Sequence, residues 1–328
     1  MRCAVFRLGV VTCAAVSITV VGSIAFDAVE TPYGERERML GGAATYFSLA
    51  ASMFEQVNLV GPVGDDFGAA EMAVLRTRGA NVDDVEHIAG GKSFFWKGRY
   101  HENMDTRDTL DTQLNVFEDF APKLSPRSRE ADVLFLANIQ PGLQLQVREQ
   151  CEAAKFVALD SMNLWIDIAR EELQQIIGRV DCLILNDEEL RQLTGAATTV
   201  AAAREVLQHG PSIVVAKQGE YGSALITADD FFALPAYPLE QVVDPTGAGD
   251  TFAGGFVGLI ASQFERGVDG EVLRNAMAYG TALASYNVER FGTEALASPE
   301  IDGAAVRRRV DDLWRFGRFD QLDVQLRA

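Results

Sequence analysis

The sequence predicts an α/β fold, a three-layer sandwich in which helices flank a mostly parallel central sheet, with a small β lid added. Three observations predict it. Short runs rich in valine, isoleucine and leucine alternate along the chain with stretches of helical period, as in βαβ units. The strand-like runs are apolar throughout, as expected for strands buried on both faces of a parallel sheet. Residues 92–117 depart from this rhythm, because aromatic and polar residues alternate there as in antiparallel strands with one wet face.

The elements of the main sheet follow one another along most of the chain. The predicted strands are 18–21, 57–60, 133–136, 156–159, 182–185 and 213–216. The predicted helices are 43–54, 69–78, 143–154, 164–177, 187–193, 200–209, 248–264 and 270–287. We expect the lid to be built from residues 26–39 and 92–117. A lid of this kind would cover a site at one edge of the sheet.

Composition narrows the class of protein. The 328 residues, 48% of them apolar and 23% charged, are those of an ordinary globular chain. A formal net charge of -18 argues against a general nucleic-acid binder, although a few backbone amides and one metal ion can still bind a nucleotide. Four cysteines without a C-x-x-C pair and three histidines predict neither a disulfide scaffold nor a histidine-rich metal site. We therefore expect a cytoplasmic protein.

The N-terminus allows two interpretations. Arg2 and Arg7 precede the apolar run 8–21, as in a signal peptide. The alternative, an early start codon before the first buried strand, is favoured because removing a signal peptide would delete strand 18–21. Residues 1–17 are thus predicted to be an N-terminal extension and residues 18–328 the folded domain. No other segment reaches the length of a transmembrane helix, so no membrane partner is expected.

The sharpest motif is a glycine-rich turn that leads directly into a long helix, DPTGAGDTFAGGF at residues 244–256. Gly247 and Gly249 let the backbone approach a ligand, and the free amides of the first helical turn form an anion site. Asp250 then lies beside a bound phosphate, where we expect it to stay ionised and to take the proton of an attacking alcohol. The alternative is that Asp250 only caps the helix. Residues 247–250 alone do not separate these interpretations.

A second motif, NDEE at residues 186–189, follows an apolar strand. Asn186 and Glu189 share one helix face at the carboxyl end of that strand, where open α/β sheets bind their ligands. The same spacing is that of a capping box, which is the favoured interpretation of this motif alone. The third motif, VVAKQGEYG at residues 214–222, is a strand leading into a G-x-x-G turn, for which a plain hairpin is the alternative.

Taken together, these motifs resemble the ribokinase-like (PfkB) carbohydrate and nucleoside kinases. The resemblance extends over residues 18–292 and includes Gly41-Gly42 at a helix start and the turn VGPVGDDFG at residues 60–68. It implies ATP as phosphoryl donor, Mg²⁺ as cofactor and an alcohol of a sugar or nucleoside as acceptor. It makes Asp250 the catalytic base. The residues that it assigns to the anion hole and ATP-binding loop are Asp244, Thr246, Gly247, Ala248 and Gly249.

The same resemblance assigns the other two motifs. It implies that Asn186 and Glu189 order Mg²⁺ and phosphate through water, which is compatible with the capping box. It places Lys217 and Gly219 near the phosphates and ribose of ATP. It leaves open a monovalent cation such as K⁺ and a homodimer formed through the β lid.

On the acceptor side, the resemblance places Asp27 and Gly41-Gly42 at the sugar hydroxyls. A carboxylate that accepts hydrogen bonds from two vicinal hydroxyls is suited to a polyol. Sugar kinases of the group often carry Asn a few residues after the Gly-Gly pair, whereas this chain has Thr45 and Tyr46. We expect one of these two, Tyr46 foremost, to replace that contact. Asn138 is a further candidate at the rim, although ordinary loop polarity is the favoured interpretation of this residue.

A simple sugar is the favoured acceptor, and an adenosine-like nucleoside is the alternative. Aromatic residues of the lid could stack on a nucleobase: Phe94, Phe95, Trp96 and Tyr100. Lys97 and Arg99 alternate with them, so one lid face could instead bind a phosphorylated or acidic sugar.

Other functions lack their motifs. Gly90-Gly91-Lys92-Ser93 ends like a P-loop, but Glu86 stands where that motif requires its first glycine. No G-x-G-x-x-G follows the first strand, which argues against a dinucleotide-binding dehydrogenase. An inactive relative that only binds metabolites would be expected to have lost Asp250, which is present with its whole loop.

Overall fold

The computed structural model describes residues 16–316. Its strands are β1 (Ser17–Val21), β2 (Ala25–Thr31), β3 (Gly34–Gly41), β4 (Gln56–Gly64), β5 (Val85–Ile88), β6 (Phe94–Tyr100), β7 (Arg107–Gln113), β8 (Val133–Leu136), β9 (Phe156–Asp160), β10 (Cys182–Asn186), β11 (Ile213–Lys217), β12 (Ser223–Ile226) and β13 (Phe231–Leu234). Its α-helices are α1 (Ala43–Ala51), α2 (Ala69–Arg76), α3 (Pro126–Arg129), α4 (Pro141–Gln150), α5 (Asn163–Ile168), α6 (Arg170–Ile177), α7 (Asp187–Thr194), α8 (Thr199–Val206), α9 (Ala248–Gln263), α10 (Gly270–Asn287), α11 (Glu294–Ala297) and α12 (Gly303–Phe316).

A large sheet of nine strands has the order β13-β12-β11-β10-β9-β8-β1-β4-β5. Its pairs are parallel from β11 to β5, and only β12 and β13 join antiparallel at one edge. The predicted α/β class with a mostly parallel sheet is therefore confirmed.

Helices cover both faces of this sheet because successive strand residues point to opposite sides. On β10, Cys182 and Ile184 belong to a core that includes α1, α9, α10 and α12. Leu183 and Leu185 belong to the opposite core, with α4, α6, α7 and α8. No helix within residues 16–316 is long and apolar enough to cross a membrane.

The second sheet has four strands in the order β3-β2-β6-β7, which confirms the small β lid. Asp27 lies opposite Trp96 in the β2–β6 ladder, and Tyr100 lies opposite Arg107 in the β6–β7 ladder. Because paired residues share a face, Asp27, Trp96, Tyr100 and Arg107 define what we call the inner face of the lid.

Some predicted boundaries were wrong. The helix predicted over residues 164–177 is two helices, separated at Ala169, where the backbone leaves the helical conformation with φ of -138° and ψ of 38°. The helix predicted over residues 200–209 ends as a 3₁₀ turn after Val206. Strands β5, β12 and β13, each of four residues, were not predicted. Strand β1 begins at Ser17, one residue before the predicted boundary. Residues 1–15 of the proposed N-terminal extension lie outside the described part.

Candidate active site

The candidate site lies where the carboxyl ends of β9, β10 and β11 meet the inner face of the lid. Parallel neighbours end at one edge, so Asp160, Asn186 and Lys217, the last residues of these three strands, lie side by side. The loop before α9 closes the site from the other side.

Gly247 shapes this loop. It has φ of 74°, in the left-handed region that favours glycine, and a Cβ at this position would overlap the ring of Tyr46. Asp244 is buried and holds the loop: one carboxylate oxygen accepts from the Thr246 amide and the other from the Gly292 amide, both at 2.9 Å. Asp244 thus ties the loop to Gly292, and direct contact of Asp244 with ATP stays a prediction.

The anion hole differs in one respect from the prediction. The Ala248 amide donates to the Pro245 carbonyl at 3.1 Å, so this structure uses it in a turn. Within residues 16–316, the amides of Gly247 and Gly249 donate no hydrogen bond. These two amides, at the positive end of α9, are the ones available to a phosphate.

Asp250 lies in the first turn of α9. Burial and the nearby Asp160 raise the pKa of its carboxyl to about 7, against the opposing effects of Lys217 and Arg107. This raised pKa departs from the expectation that Asp250 stays ionised. The stabilisation of a carboxylate by the helix dipole is smaller than the cost of removing this carboxylate from water.

Lys217 binds Asp160 in a buried ion pair, with its Nζ 3.3 Å from each carboxylate oxygen. Its Nζ also lies 3.0 Å from the position that a Cβ would take at Gly249, so the cation adjoins the candidate anion hole. Burial opposes the charge of Lys217, but Asp160, Glu189 and Asp250 together raise its pKa. The pKa of Asp160 is also raised by burial, although Lys217 opposes that rise. Lys217 is thus the cation shared by three carboxylates.

Asn186 and Glu189 form the predicted capping box. The Glu189 amide donates to Asn186 Oδ1 at 2.7 Å, and the Asn186 amide donates to Glu189 Oε2 at 2.9 Å. Burial raises the pKa of Glu189, and Asp160 raises it further while Lys217 opposes the rise. A divalent cation held through water by the other Glu189 oxygen suits this acidic set, because Mg²⁺ keeps most of its waters. The capping role is confirmed, and the magnesium role stays a prediction.

The turn after β11 forms a hairpin, which was the alternative interpretation of this motif. Strand β11 pairs antiparallel with β12 through a 3₁₀ turn, Gly219–Tyr221. Gly219 has φ of 55° and is exposed, so the turn is accessible to a ligand. Its contact with ATP stays a prediction.

Asp27 is buried on the inner face of the lid. Burial, followed by the charges of Asp244 and Asp250, raises its pKa to about 8, while a hydrogen bond from the Gly42 amide acts in the opposite direction. A Cβ at Gly41 would overlap the Asp27 carboxylate, so glycine is required there. Gly42 has φ of 96° and is the N-cap of α1. The structure thus brings the three predicted acceptor residues together, close to Asp250.

Tyr46 and Asn138 differ in their surroundings. The Tyr46 hydroxyl is buried and has no hydrogen-bond partner among the described residues. Burial and the nearby charges of Asp27 and Asp244 raise the pKa of this hydroxyl. Tyr46 therefore lies near Asp27, the carboxylate predicted to bind the acceptor. Asn138 accepts a hydrogen bond from Trp165 Nε1 at 3.0 Å, so it already supports the fold. Its contact with an acceptor stays a prediction.

Of the four aromatic residues of β6, Trp96 and Tyr100 lie on the inner face of the lid. The Trp96 ring lies against Gly98, where a Cβ would overlap it, and its Nε1 donates to Thr109 Oγ1 at 3.4 Å. The Tyr100 hydroxyl accepts from Thr246 Oγ1 at 3.3 Å, which joins the lid to the loop. Phe94 packs edge-on against Phe117 instead. Phe95 packs against the core that includes α1, α9, α10 and α12.

Lys97 and Arg99 lie on the outer face of the lid. Both bind Glu30, at 2.8 and 2.7 Å. They alternate with Trp96 along β6 and therefore point away from Asp27. This position argues against the idea that they bind a phosphorylated or acidic sugar.

Sequence reasoning missed two residues near the reacting groups, Asp160 and Arg107. Asp160 directly follows a predicted strand, the same signal that drew attention to Asn186, so it could have been found. Arg107 carries no local signal, because only the lid hairpin brings it close to Asp250 and Glu189.

Comparison with known proteins agrees with this architecture. The sequence model of the pfkB family carbohydrate kinases matches residues 15–301. A cytidine kinase of Thermococcus kodakarensis is 30% identical over 249 residues, 73% of this chain and 87% of its own length.

Two solved structures show the same fold. The Burkholderia thailandensis nucleoside kinase in complex with ADP-inosine has a TM-score of 0.76 and 17% identity, over 95% of this chain and 99% of its own. The Arabidopsis thaliana ribokinase complexed with ribose and ATP has a TM-score of 0.69 and 21% identity, over 90% and 99%. With the family match over most of its length, this chain belongs to the pfkB family of carbohydrate kinases.

Proposed function

We propose that this protein transfers the γ-phosphoryl group of ATP to an alcohol of a small sugar, with a nucleoside as the second candidate acceptor. The observation that carries this proposal is the convergence of Asp250 and Lys217 on the glycine loop that begins α9, with Asp27 close by. This set supplies a base, a cation for phosphate and a carboxylate for the acceptor.

In this mechanism, Asp27 and the backbone at Gly41-Gly42 orient the acceptor so that one hydroxyl faces Asp250. Ionised Asp250 takes the hydroxyl proton as the oxygen attacks the γ-phosphorus, and the bond from that phosphorus to the bridging oxygen breaks to release ADP. The free amides of the glycine loop and the Lys217 ammonium stabilise charge on the transferred group. When bound, Mg²⁺ neutralises phosphate oxygens, and Asn186 and Glu189 would hold it through water.

A specific observation favours the nucleoside candidate. The Trp96 ring lies on the same lid face as Asp27, where it could stack on a base whose ribose reaches Asp27. The cytidine kinase similarity supports the same candidate. The simple sugar rests on Asp27 and the Gly-Gly pair alone. A coupled assay of ADP release with MgATP, over a panel of sugars and nucleosides, tests both. No acceptor-dependent ADP release with any alcohol would contradict the proposed function.

With the best acceptor, we expect Asp27→Ala to raise the acceptor KM by about tenfold or more and to lower kcat through misorientation. ATP binding, measured by calorimetry, should change little, because Asp27 lies on the acceptor side. Glu30→Ala, on the outer face of the same strand, is the matched control and should leave the acceptor KM unchanged. Unaltered acceptor kinetics in Asp27→Ala would show that the acceptor binds elsewhere.

Glu189→Gln should raise the Mg²⁺ concentration needed for half-maximal activity, with little effect on the acceptor KM. The glutamine oxygen can still accept from the Asn186 amide, so the cap and the fold are retained. Glu188→Gln changes an exposed neighbour by the same chemistry and serves as control. If the Mg²⁺ titration of Glu189→Gln matches that of the parent protein, Glu189 serves only as a cap.

A further inference from the structure

The hairpin formed by β6 and β7 lies across the candidate phosphate site. At one end Tyr100 contacts Thr246 of the glycine loop. In the connecting turn, Asp105 Oδ1 lies 3.2 Å from the position that a Cβ would take at Gly219. The hairpin therefore touches both walls of the site, the α9 loop and the β11–β12 turn. Arg107, which follows this turn and pairs with Tyr100, lies between these two contacts.

The Arg107 guanidinium has no hydrogen bond or ion pair within residues 16–316. The guanidinium carbon lies 6.0 Å from the centroid of the Trp96 ring. By contrast, Lys97 and Arg99 of the same hairpin are both engaged by Glu30. Arg107 is exposed to solvent on the inner face of the lid, so its planar donors are available to a ligand.

The Arg107 charge reaches the reacting groups. It lowers the pKa of Asp250 and of Glu189, which lie on different elements of the main domain. Lys217 is the other cation that acts on both. Lys217 is already paired with Asp160. A phosphate that binds near Asp250 and Glu189 would therefore have Arg107 as its unpaired cationic partner.

We propose that Arg107 is a phosphate-binding residue of the lid, which donates to the transferred phosphoryl group and completes the site when the hairpin lies over it. This inference rests on the proposed function. A guanidinium presents two parallel N–H groups to phosphate oxygens, and such donors act most strongly where charge develops during transfer. Arg107 also offsets the acidic surroundings, which would otherwise repel ATP and the departing ADP.

The test combines kinetics with binding of a transfer mimic. With the best acceptor, Arg107→Ala should lower kcat by about 10²- to 10³-fold, with the acceptor KM changed by only a few-fold. Arg107→Lys should recover part of the loss, and millimolar guanidine should partly restore Arg107→Ala. Arg99→Ala removes an arginine from the outer face of the same hairpin and should keep the parent kcat.

Binding of ADP, Mg²⁺ and aluminium fluoride needs no acceptor. We expect Arg107→Ala to weaken the combined binding of ADP, Mg²⁺ and aluminium fluoride by about tenfold or more. The affinity for ADP alone should be the same in parent and variant. Equal fluoroaluminate binding, or a kinetic loss confined to the acceptor KM, would overturn the proposal for Arg107. If the parent uses no acceptor on the panel, the proposed function fails, and the binding measurement still decides whether Arg107 holds phosphate.

Discussion

Asp250→Asn is expected to lower kcat by about two to four decades, because asparagine cannot take the proton of the attacking alcohol. The variant should fold normally, since asparagine has nearly the same shape and suits the first turn of a helix. Thermal unfolding and ATP binding, measured beside the parent, serve as controls for the fold. Activity within a few-fold of the parent would mean that Asp250 only caps α9.

The raised pKa of Asp250 adds a dependence on pH. Its carboxyl, with a pKa of about 7, must be ionised to act as a base, so activity is present above that pKa and is lost as pH falls through it. The kcat/KM of the parent should therefore fall by about tenfold per pH unit below pH 7, since this quantity reports the free enzyme. The residual kcat/KM of Asp250→Asn should not show this decrease below pH 7. A parent profile that stays flat down to pH 5 would contradict the assignment of Asp250 as base.

Lys217→Met is expected to lower the free energy of unfolding by about 3–5 kcal/mol, because it leaves Asp160 buried without its cation. It should also abolish measurable turnover, since Lys217 adjoins the anion hole. Unfolding in denaturant gives the stability, and the ADP-release assay gives the turnover. Lys155→Met, which removes a lysine from the exposed pair with Asp132, is the control and should cost less than about 1 kcal/mol.

The double variant Asp160→Asn/Lys217→Met separates stability from function. Removing both charges leaves no unpaired buried ion, so much of the lost stability should return. Turnover should not return, because the cation for the phosphate is still absent. If the two substitutions were simply additive in stability, the Asp160–Lys217 pair would not be the cause of the loss.

The sequence alone determined the features that depend on neighbouring residues. The alternation of apolar runs and helical stretches predicted the parallel sheet, because a strand buried on both faces is apolar wherever it lies. The capping box at Asn186 and Glu189 was predictable because both partners lie within one helical turn. The glycine loop before α9 was recognisable because its left-handed backbone at position 247 favours glycine, which is a local property of the turn.

Tertiary structure alone decided which charges meet. Lys217 and Asp160 are 57 residues apart, and only the parallel order of β9, β10 and β11 brings their ends together. Arg107 reaches Asp250 only because the lid folds back over the loop. The pKa of Asp250 follows from this assembly, since burial depends on every element that surrounds the carboxyl. The sequence therefore determined which groups are present, and the packing of distant segments determined their electrostatic state, because desolvation and Coulomb interactions act through space and not along the chain.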